Sequence, residues 1–388
     1  MCEKIGVFGG TFDPIHRGHI GLMNTVFEKL SLSKLIVVPN GNPPHKENDT
    51  SAMDRLNMVN EALCDYPEYI VCDYEINKET QSYTFETIAY LKEQYPGDEL
   101  YFIMGMDNLS DFKFWKKPEE ICKYAKIVFV GRDEYEPAET EIQHLKETLN
   151  AEIEIIDFDC PASSTEVRKA LEDGDYIFDM LSLDTLRYIL KNGLYGTTNV
   201  SEYDFYEHEL AKFVERKRFN HSLGVAATAY LMAKKYGEDE KLAYFTGLVH
   251  DIAKRLPLSE QLELCSDIKL HPDERSYPKM LHAPAGAGFL KRKYQIDNEK
   301  LLSAVRFHTI GDVKMTLFDK IIYMADYVEP FRRFEGVEEL RRLAFSDVDK
   351  AVVKGIDTTV MSLIEEGMKI STCMLDVRNG LIEKINKG

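Results

Sequence analysis

The chain has 388 residues, which is too long for one ordinary hydrophobic core and predicts about two domains. Its 48 Lys and Arg residues against 66 Asp and Glu residues give a net charge of −18, which excludes a general nucleic-acid binder. Seven cysteines without a CxxC pair argue against a disulfide framework. No apolar run reaches membrane-spanning length, and a strand expected directly after residues 1–4 leaves no room for a signal peptide. We therefore expect a cytoplasmic protein without a membrane partner.

The first half of the chain, up to about residue 196, alternates short apolar runs with helical patterns. This alternation predicts a parallel sheet that is covered by helices on both faces. In chain order the strand candidates are Ile5–Phe8, Lys34–Pro39, Tyr69–Asp73, Leu100–Met104, Ile127–Val130 and Ile153–Ile156.

The first strand candidate leads into a glycine-rich turn and then into a helix expected from Arg17 to Leu30. The turn reads Gly9-Gly10-Thr11-Phe12-Asp13-Pro14-Ile15-His16-Arg17-Gly18-His19. Backbone N–H groups of such a turn can approach a phosphate closely, and the helix N-terminus behind it favours negative charge. His16 and His19 are three residues apart, so both can project from one face of the first helical turn. The pattern is typical of a nucleotide phosphate that is handled at a strand–helix junction.

Further candidate ligand residues follow the later strands, where open α/β sheets bind their ligands. Lys46, in a loop after the second strand, is a compact counter-charge for phosphate. Ser163, Ser164 and Arg168 mark a helix N-terminus that can grip phosphates. The other candidates are Thr84, Gly105, Asp107, Trp115 and Arg132. Each is weak alone, because Ser163 or Ser164 also suits a helix N-cap and Trp115 also suits the core.

Taken together, these strings resemble the nucleotidylyltransferase superfamily, in the form found in bacterial nicotinate mononucleotide adenylyltransferases. The matching strings are GGTFDPIHRGH, PPHK, SYTFET, the GMD after a strand with a later Trp, and SSTEVR. The resemblance implies a Rossmann-like α/β fold and bound Mg²⁺. It also implies that the 5′-phosphate of the mononucleotide attacks the α-phosphorus of ATP in line. Two departures are Ala162, where Ile is usual, and Gln81, where Gly is usual; the second can alter the loop near the nicotinate ring.

The same resemblance implies catalytic roles for His16, His19, Lys46 and Arg168. It implies contacts with ATP or the mononucleotide for Gly9, Gly10, Thr11, Phe12, Thr84, Gly105, Asp107, Trp115, Arg132, Ser163 and Ser164. The chain lacks the Lys-Ser/Thr pair of a P-loop and the full GxGxxG of a dinucleotide site, which argues against a dehydrogenase. Another adenylyltransferase, for example one acting on phosphopantetheine, is the main alternative, and the choice between acid and amide mononucleotide stays open.

A polar stretch with turn-forming residues, 197–203, is the expected linker, which gives a first domain of residues 1–196 and a second of residues 204–388. Nearly every later segment has helical spacing, so the second domain is predicted to be an all-α bundle. The clearest helix candidates are Glu207–Tyr236, Lys241–Arg255, Leu301–His308, Leu317–Tyr327 and Val348–Gly367.

The second half carries four histidines and two aspartates beside apolar helical runs: His221, His250, Asp251, His282, His308 and Asp326. A buried carboxylate is costly unless it is paired or binds a metal ion. Histidine and aspartate without cysteine favour Fe, Mn, Zn, Ni or Mg over a structural thiolate zinc. A lone histidine, such as His208 or His271, is expected to be merely hydrogen-bonded.

These residues resemble the metal ligands of HD-domain phosphohydrolases, and more narrowly of symmetrical diadenosine tetraphosphate hydrolases. The matching strings are HSLGVA, HDIAK, LHAPAGA, RFHTIG and ADYVEPFRRF. The resemblance implies two metal ions, iron first, with Mn, Ni or Zn as alternatives. It places His221, His250 and Asp326 on one ion and His282 and His308 on the other. Asp251 would bridge them, and Lys254, Thr309 and Arg332 would contact substrate phosphate.

The sequence therefore predicts two enzymes in one chain, with ATP, nicotinate mononucleotide and diadenosine tetraphosphate as substrates. Alternatives for the second half are a nucleotidase, a cyclic-nucleotide phosphodiesterase, a hydrolase of dinucleotide cofactors or a nucleotide-sensing regulatory module. A homo-oligomer stays open.

Overall fold

The computed structural model describes residues 2–41, 50–78, 80–131 and 138–387. Its internal contacts separate the chain into two compact units. The first comprises Met1–Lys169 and Asp179–Ile189, and the second comprises Ala170–Phe178 and Leu190–Gly388. The domain limits at residues 196 and 203 stay a prediction.

The first unit is built on a parallel sheet of six strands in the order β3-β2-β1-β4-β5-β6. The strands are β1 (Lys4–Gly10), β2 (Lys34–Pro39), β3 (Tyr69–Val71), β4 (Glu99–Gly105), β5 (Ala125–Gly131) and β6 (Ile153–Asp157). All six predicted strands are therefore confirmed, and only β3 is shorter than expected. The strand order reverses between β1 and β4, which is where such sheets bind ligands beyond their carboxyl ends.

Both faces of this sheet are covered. In β2, the consecutive residues Leu35, Ile36, Val37 and Val38 are all buried, although neighbours along a strand point to opposite faces. The covering elements between the strands are helical: α1 (Arg17–Leu30), α2 (Ala52–Leu63), α3 (Thr84–Gln94), α4 (Pro118–Tyr124) and α5 (Ala138–Leu149). Two further helices, α6 (Ser164–Asp173) and α7 (Leu183–Asn192), follow β6 and begin in the same unit. The predicted α/β fold is confirmed, and so is the predicted extent of α1.

In the described part of the chain after α7, every regular element is helical, which confirms the all-α prediction. These elements are α8 (Asp204–Phe213), α9 (Arg216–Tyr236), α10 (Glu240–Val249), α11 (Leu258–Leu264), α12 (Pro272–Ser276), α13 (His282–Tyr294), α14 (Glu299–Phe307), α15 (Leu317–Val328), α16 (Val337–Ala344), α17 (Val348–Glu365) and α18 (Thr372–Ile385). None of the helices that the structure describes is long and apolar enough to span a membrane.

Two predicted helices are wrong in extent. The helix expected over Glu207–Tyr236 is broken, because Val214 and Glu215 are extended between α8 and α9. α9 buries every residue from Ser222 to Ala233, whereas α8 buries few residues, so the two segments have different surroundings. The helix expected over Lys241–Arg255 ends at Val249, and tighter turns follow it.

Candidate active sites

The two histidines of the first motif cap the helix that follows β1. His16 is the N-cap of α1, and its Nδ1 accepts a hydrogen bond from the backbone N–H of His19 at 3.4 Å. In return, Nδ1 of His19 accepts from the backbone N–H of His16 at 3.2 Å. Because both Nδ1 atoms are acceptors, the proton of each neutral ring sits on Nε2. The pair therefore offers two N–H donors at the N-terminus of a helix.

Burial keeps both rings neutral. It lowers the pKa of His16 to about 4, with a small opposing effect from the charge of Glu166. Burial, and then the like charge of His16, hold the pKa of His19 well below its usual value. The two imidazoles are therefore hydrogen-bond donors rather than cations at neutral pH.

Phe12 packs against this pair. Its backbone is left-handed, with φ at 51°, and its buried ring meets His19 edge-on at a centroid distance of 5.1 Å. A Cβ atom at position 10 would lie 2.8 Å from the Phe12 ring, so only glycine fits there. Gly9 and Gly10 end β1, and Thr11 joins them to Phe12. Gly10 thus makes room for the Phe12 ring that packs against His19.

Arg55 supports the same turn, and the sequence analysis missed it. Its side chain is 1% exposed, and its guanidinium donates to the carbonyls of Thr11 (2.9 Å), Asn40 (2.6 Å) and Gly41 (2.9 Å). It therefore joins the turn after β1 to the turn after β2. A signal was available, because Arg55 occupies the apolar face of α2 together with Met58 and Val59.

The N-terminus of α6 is fastened to this motif. Arg168 donates to the carbonyl of Asp13 at 2.7 Å, and the hydroxyl of Ser164 donates to the carbonyl of Pro14 at 3.0 Å. Ser163 forms a capping box with Glu166, with bonds of 2.8 and 3.2 Å. The alternative interpretation of Ser163 as a helix cap is thus what the structure has, and Ser164 and Arg168 are brought to the motif.

Lys116 and Lys117 directly follow the predicted ligand residue Trp115, and they contact the two neighbours of the predicted ligand residue Thr84. Thr84 begins α3, and the ammonium of Lys116 lies 3.6 Å from the ring centroid of its neighbour Tyr83. The ammonium of Lys117 lies 4.7 Å from the ring centroid of Phe85, on the other side of Thr84. The sequence analysis named neither lysine, and no motif pointed to them.

Trp115 and the residues after β4 complete this region. The half-buried Trp115 ring packs edge-on against Phe102 and Phe112, so it belongs partly to the core. Gly105 ends β4, and a Cβ atom there would lie 2.3 Å from Oδ1 of Asp107. Two further predicted site residues, Lys46 and Arg132, lie outside the described residues.

In the second unit, Asp251 lies between two histidines. Its Oδ1 is 3.3 Å from Nε2 of His282 and 3.5 Å from Nε2 of His308. Its Oδ2 lies 3.8 Å from Nε2 of His250. One oxygen of the carboxylate thus faces His282 and His308, and the other faces His250.

Asp326 lies between His250 and His221 and completes the group to which His250 belongs. Its Oδ1 lies 3.1 Å from Nε2 of His221 and 3.9 Å from Nε2 of His250. The structure therefore brings together all six predicted metal ligands, although they span more than a hundred residues of chain. Within the part of the chain that the structure describes, two subsets lie close enough to share an ion: His221, His250 and Asp326, and His250, Asp251 and His308.

Three of the four imidazoles are oriented in the same way, since each Nδ1 donates to the main-chain carbonyl three residues earlier. The pairs are His250 with Gly247 (2.6 Å), His282 with Lys279 (2.8 Å) and His308 with Val305 (2.7 Å). This fixes the proton on Nδ1, so the lone pair that can bind a metal is on Nε2. In His221 the Nδ1 partner is instead the carboxylate of Glu329, at 3.1 Å.

The donor set fits divalent metal ions. Nε2 of His250, Nε2 of His308 and Oδ1 of Asp251 are buried without a hydrogen-bond partner, and buried polar atoms rarely stay unsatisfied. Burial lowers the pKa of His250 to about 3 and that of His282 to about 4. Although burial opposes ionisation of Asp251, the neighbouring His250 and Lys254 hold its pKa well below its usual value. Neutral imidazoles and an ionised carboxylate are the forms that bind a metal. His221 is the exception: although burial opposes its charge, hydrogen bonds to Asp326 and Glu329 raise its pKa to about 9, so it loses a proton when it binds a metal.

Cationic side chains surround these carboxylates. Oδ2 of Asp251 accepts from Lys254 at 2.9 Å and from Arg218 at 2.7 Å, and Asp326 accepts from Arg332 at 2.5 Å. The hydroxyl of Thr309 lies 3.3 Å from Nε2 of His282. Arg218 was missed by the sequence analysis, although it lies three residues before His221 on the same face of α9.

The adjacent His250 and Asp251 lie just beyond the end of α10, and both reach the site. After Val249 the backbone forms tighter turns, in which the N–H of Ile252 donates to the carbonyl of Val249 and that of Lys254 to the carbonyl of Asp251. The α-helical hydrogen bonding that the sequence predicts up to Arg255 is therefore replaced by turns over this segment.

Comparisons with known proteins divide the chain in the same way. Residues 7–170 match the cytidylyltransferase-like family, and residues 218–330 match the HD domain. A protein of Mycoplasma pneumoniae, named a probable nicotinate-nucleotide adenylyltransferase/Ap4A hydrolase, is 30% identical over 94% of this chain and 96% of its own.

Two shorter relatives each match part of the chain. A probable nicotinate-nucleotide adenylyltransferase of Clostridium tetani is 37% identical over 50% of this chain and 99% of its own. A symmetrical bis(5'-nucleosyl)-tetraphosphatase of Bacillus subtilis is 36% identical over 39% of this chain and 83% of its own.

Proposed function

The chain belongs to the family of nicotinate-nucleotide adenylyltransferase/Ap4A hydrolases, and we propose that it carries out both reactions of that name. The first unit joins ATP and nicotinate mononucleotide to give nicotinate adenine dinucleotide and diphosphate. The second unit hydrolyses diadenosine tetraphosphate (Ap4A) to two ADP. The reciprocal capping of His16 and His19 supports the first reaction, and the convergence of His250, His282 and His308 on Asp251 supports the second.

In the first reaction, a mononucleotide phosphate oxygen bonds to the α-phosphorus of ATP, and the bond to the β-phosphate breaks to release diphosphate. No protein nucleophile takes part, so the protein contributes position and charge stabilisation. Nε2–H of His16 and of His19 donates to phosphate oxygens as charge develops. Arg168 and Lys46 offset the remaining negative charge, and Mg²⁺ held by ATP neutralises its phosphates.

The surroundings of Thr84 favour the acid form of the mononucleotide. Lys116 and Lys117 place two ammonium groups over the rings of Tyr83 and Phe85, the residues on either side of Thr84 at the positive N-terminus of α3. Lys116 also follows Trp115 directly, so a pyridine ring held at Trp115 has a cation within reach. A carboxylate on that ring gains from these charges, whereas a neutral amide gains much less.

In the second reaction, one water is consumed, and the central phosphoanhydride bond breaks to leave two ADP. His221, His250 and Asp326 would hold one divalent ion and His282 and His308 the other, with one oxygen of Asp251 facing each. Two bound metal ions, for which we propose iron, supply activation of water and stabilisation of both the attacking and the leaving oxygen.

The cations around the metal ligands suit a polyphosphate substrate. Lys254 and Arg218 both contact Asp251, and Arg332 contacts Asp326. With Asp251 and Asp326 bound to metal ions, Lys254, Arg218 and Arg332 would be available to contact substrate phosphates. Thr309 offers a hydroxyl beside His282 for the same purpose.

The decisive experiment combines metal analysis of the purified full-length chain with assays of both activities. We expect up to two metal ions per chain, formation of nicotinate adenine dinucleotide with Mg²⁺, and ADP as the single product from Ap4A. AMP with ATP as products would contradict symmetrical cleavage. Absence of any turnover with iron or manganese, loaded without oxygen, would favour a regulatory module.

A panel of substrates tests the alternatives. Mononucleotides, cyclic nucleotides and dinucleotide cofactors should be hydrolysed at least tenfold less efficiently than Ap4A, on the order of 1.4 kcal/mol of discrimination. Nicotinate mononucleotide, nicotinamide mononucleotide and phosphopantetheine, assayed side by side, decide the acceptor of the first unit. We also propose that the protein works in the reducing cytosol, since all seven cysteines are free thiols.

A further inference from the structure

His221 is oriented differently from the other three histidines of its site. His250, His282 and His308 each donate from Nδ1 to a carbonyl of their own chain segment. Nδ1 of His221 reaches instead to Oε1 of Glu329, 108 residues later in the chain. A carboxylate accepts a stronger hydrogen bond than a carbonyl and makes the imidazole a better donor to a metal.

Glu329 is held firmly in place for this contact. Its side chain is 2% exposed, and its Oε2 accepts the backbone N–H of Phe331 at 2.6 Å. Nε of Arg332 lies 3.8 Å from Oε1 of Glu329, which is too long for a hydrogen bond. A carboxylate this deeply buried is costly to keep ionised unless it is paired and hydrogen-bonded. Its two oxygens are divided between His221 and the start of the loop after α15.

Gly224 provides the space that the carboxylate needs. It lies on α9 three residues after His221, and a Cβ atom there would sit 2.7 Å from Oε2 of Glu329 and 3.3 Å from Cδ of Pro330. Glycine inside a helix costs roughly 0.5–1 kcal/mol relative to alanine. α9 nevertheless has glycine at this position, where the carboxylate of Glu329 lies against the helix.

We propose that Glu329 is a positioning residue for one of the two metal sites, which it controls by orienting His221, and that Gly224 is its necessary partner. The proposal rests on the proposed function only in that the His221, His250 and Asp326 group binds a metal. It assigns to Glu329 no contact with substrate. Because His282 and His308 are oriented by their own backbone, the second metal site should not depend on Glu329.

The test compares metal binding by full-length variants, with chelator competition as the readout. Glu329→Ala should weaken one of the two metal ions by about 10- to 100-fold and leave the other within about twofold. Glu329→Gln keeps an acceptor oxygen without the charge, so its loss should be smaller. Glu383→Gln, at an exposed glutamate on α18, is the matched control and should bind both ions like the unaltered chain.

Gly224→Ala separates positioning from stability. Alanine favours the helix but displaces the Glu329 carboxylate. We therefore expect weaker metal binding, with no matching decrease in the unfolding temperature of the metal-free chain. In the Glu329→Ala background the same substitution should have no further effect on affinity, which a double-mutant cycle measures. If Glu329→Ala does not fold, Gly224→Ala decides by the same affinity measurement.

Unchanged affinity for both ions in the folded Ala variants would overturn the proposal, and so would equal weakening of both. Failure of the proposed function is a different result, because it would appear as two bound metal ions without Ap4A cleavage. The metal titration does not depend on substrate, so the two failures can be told apart.

Discussion

The imidazole rings of His16 and His19 lie one above the other, with centroids 3.7 Å apart and planes tilted by 30°. Each Nδ1 is used by the partner's backbone N–H, so the rings serve as the two halves of a capping box. Only Nε2 of each ring remains for a ligand. The same side chains therefore begin the helix and supply the phosphate donors, and a substitution can remove one role without the other.

His16→Asn should separate these two roles. Asparagine is a good N-cap, so α1 keeps its start, whereas His16→Ala should lose about 1 kcal/mol of stability. Both variants lose the Nε2–H donor, and kcat for adenylyl transfer should fall by about 10²- to 10³-fold, as for other lost oxyanion donors. Ap4A hydrolysis by the same chains is the internal control and should stay unchanged. Near-normal kcat in His16→Asn would exclude His16 as a donor.

The stability of the first unit should fall on acidification. His16 has a pKa of about 4 when folded, against an ordinary 6.5, because burial disfavours its charged form. Between pH 6.5 and 4 the unfolded chain therefore binds a proton that the folded chain does not, so stability is complete above pH 6.5 and is lost as pH falls towards 4. At pH 5 the loss from His16 should be about 2 kcal/mol relative to pH 7.

Trp115 is the only tryptophan of the chain and lies in the first unit, so urea unfolding followed by its fluorescence measures this effect. His16→Asn should reduce the difference between pH 7 and pH 5. His144→Asn, at an exposed histidine of α5, should leave the difference as it is. An equal pH dependence in all three proteins would contradict burial of a neutral His16.

Asp251→Asn should abolish Ap4A hydrolysis and spare adenylyl transfer. Asp251 faces His282 and His308 with one oxygen and His250 with the other, and an amide is a poor ligand for either ion. We expect a loss of about 10³-fold or more in ADP release, together with a loss of bound metal. Asp357→Asn, which removes a carboxylate paired with Arg378 at the surface, should retain both activities. Hydrolysis above one tenth of normal in Asp251→Asn would refute the bridging role.

The sequence predicted those features that local pattern determines. Continuous apolar runs such as Lys34–Pro39 locate the strands, and the glycines before His16 locate the turn, because strand burial and turn geometry depend on neighbouring residues. The convergence of His221, His282 and Asp326 was predicted from resemblance, since spacing alone does not specify which distant helices pack together. The six ligands do converge, and their individual roles stay predictions.

Other features could not be predicted because they depend on tertiary packing. Arg55 and Arg218 lie on helix faces where a charged residue looks misplaced, and only the folded structure supplies the carbonyls and the carboxylate that they contact. The helical pattern continues through Val214, yet the helix is interrupted there, between α8, which buries few residues, and α9, which buries every residue from Ser222 to Ala233. Lys116 has no periodic signal, and its contact with Tyr83 follows from the approach of two loops.

Lys116→Met should weaken discrimination between acid and amide mononucleotides. Methionine keeps the length of the side chain and its packing on Tyr83 but removes the charge beside Thr84. The ratio of kcat/KM for nicotinate over nicotinamide mononucleotide should fall by about tenfold, or ~1.4 kcal/mol. Most of the loss should come from the acid substrate, because the amide gains little from a cation.

The ratio, rather than either rate alone, decides the question. If Lys116 only stabilised the loop through Tyr83, both substrates would lose efficiency together and the ratio would stay constant. Lys116→Arg keeps the charge and the stacking on the ring, so it should retain most of the discrimination. Lys123→Met removes an exposed lysine of α4 and should leave the ratio unchanged. A constant ratio in Lys116→Met would contradict a role of Lys116 in acid recognition. It would indicate that the backbone N–H groups at the start of α3 recognise the acid instead.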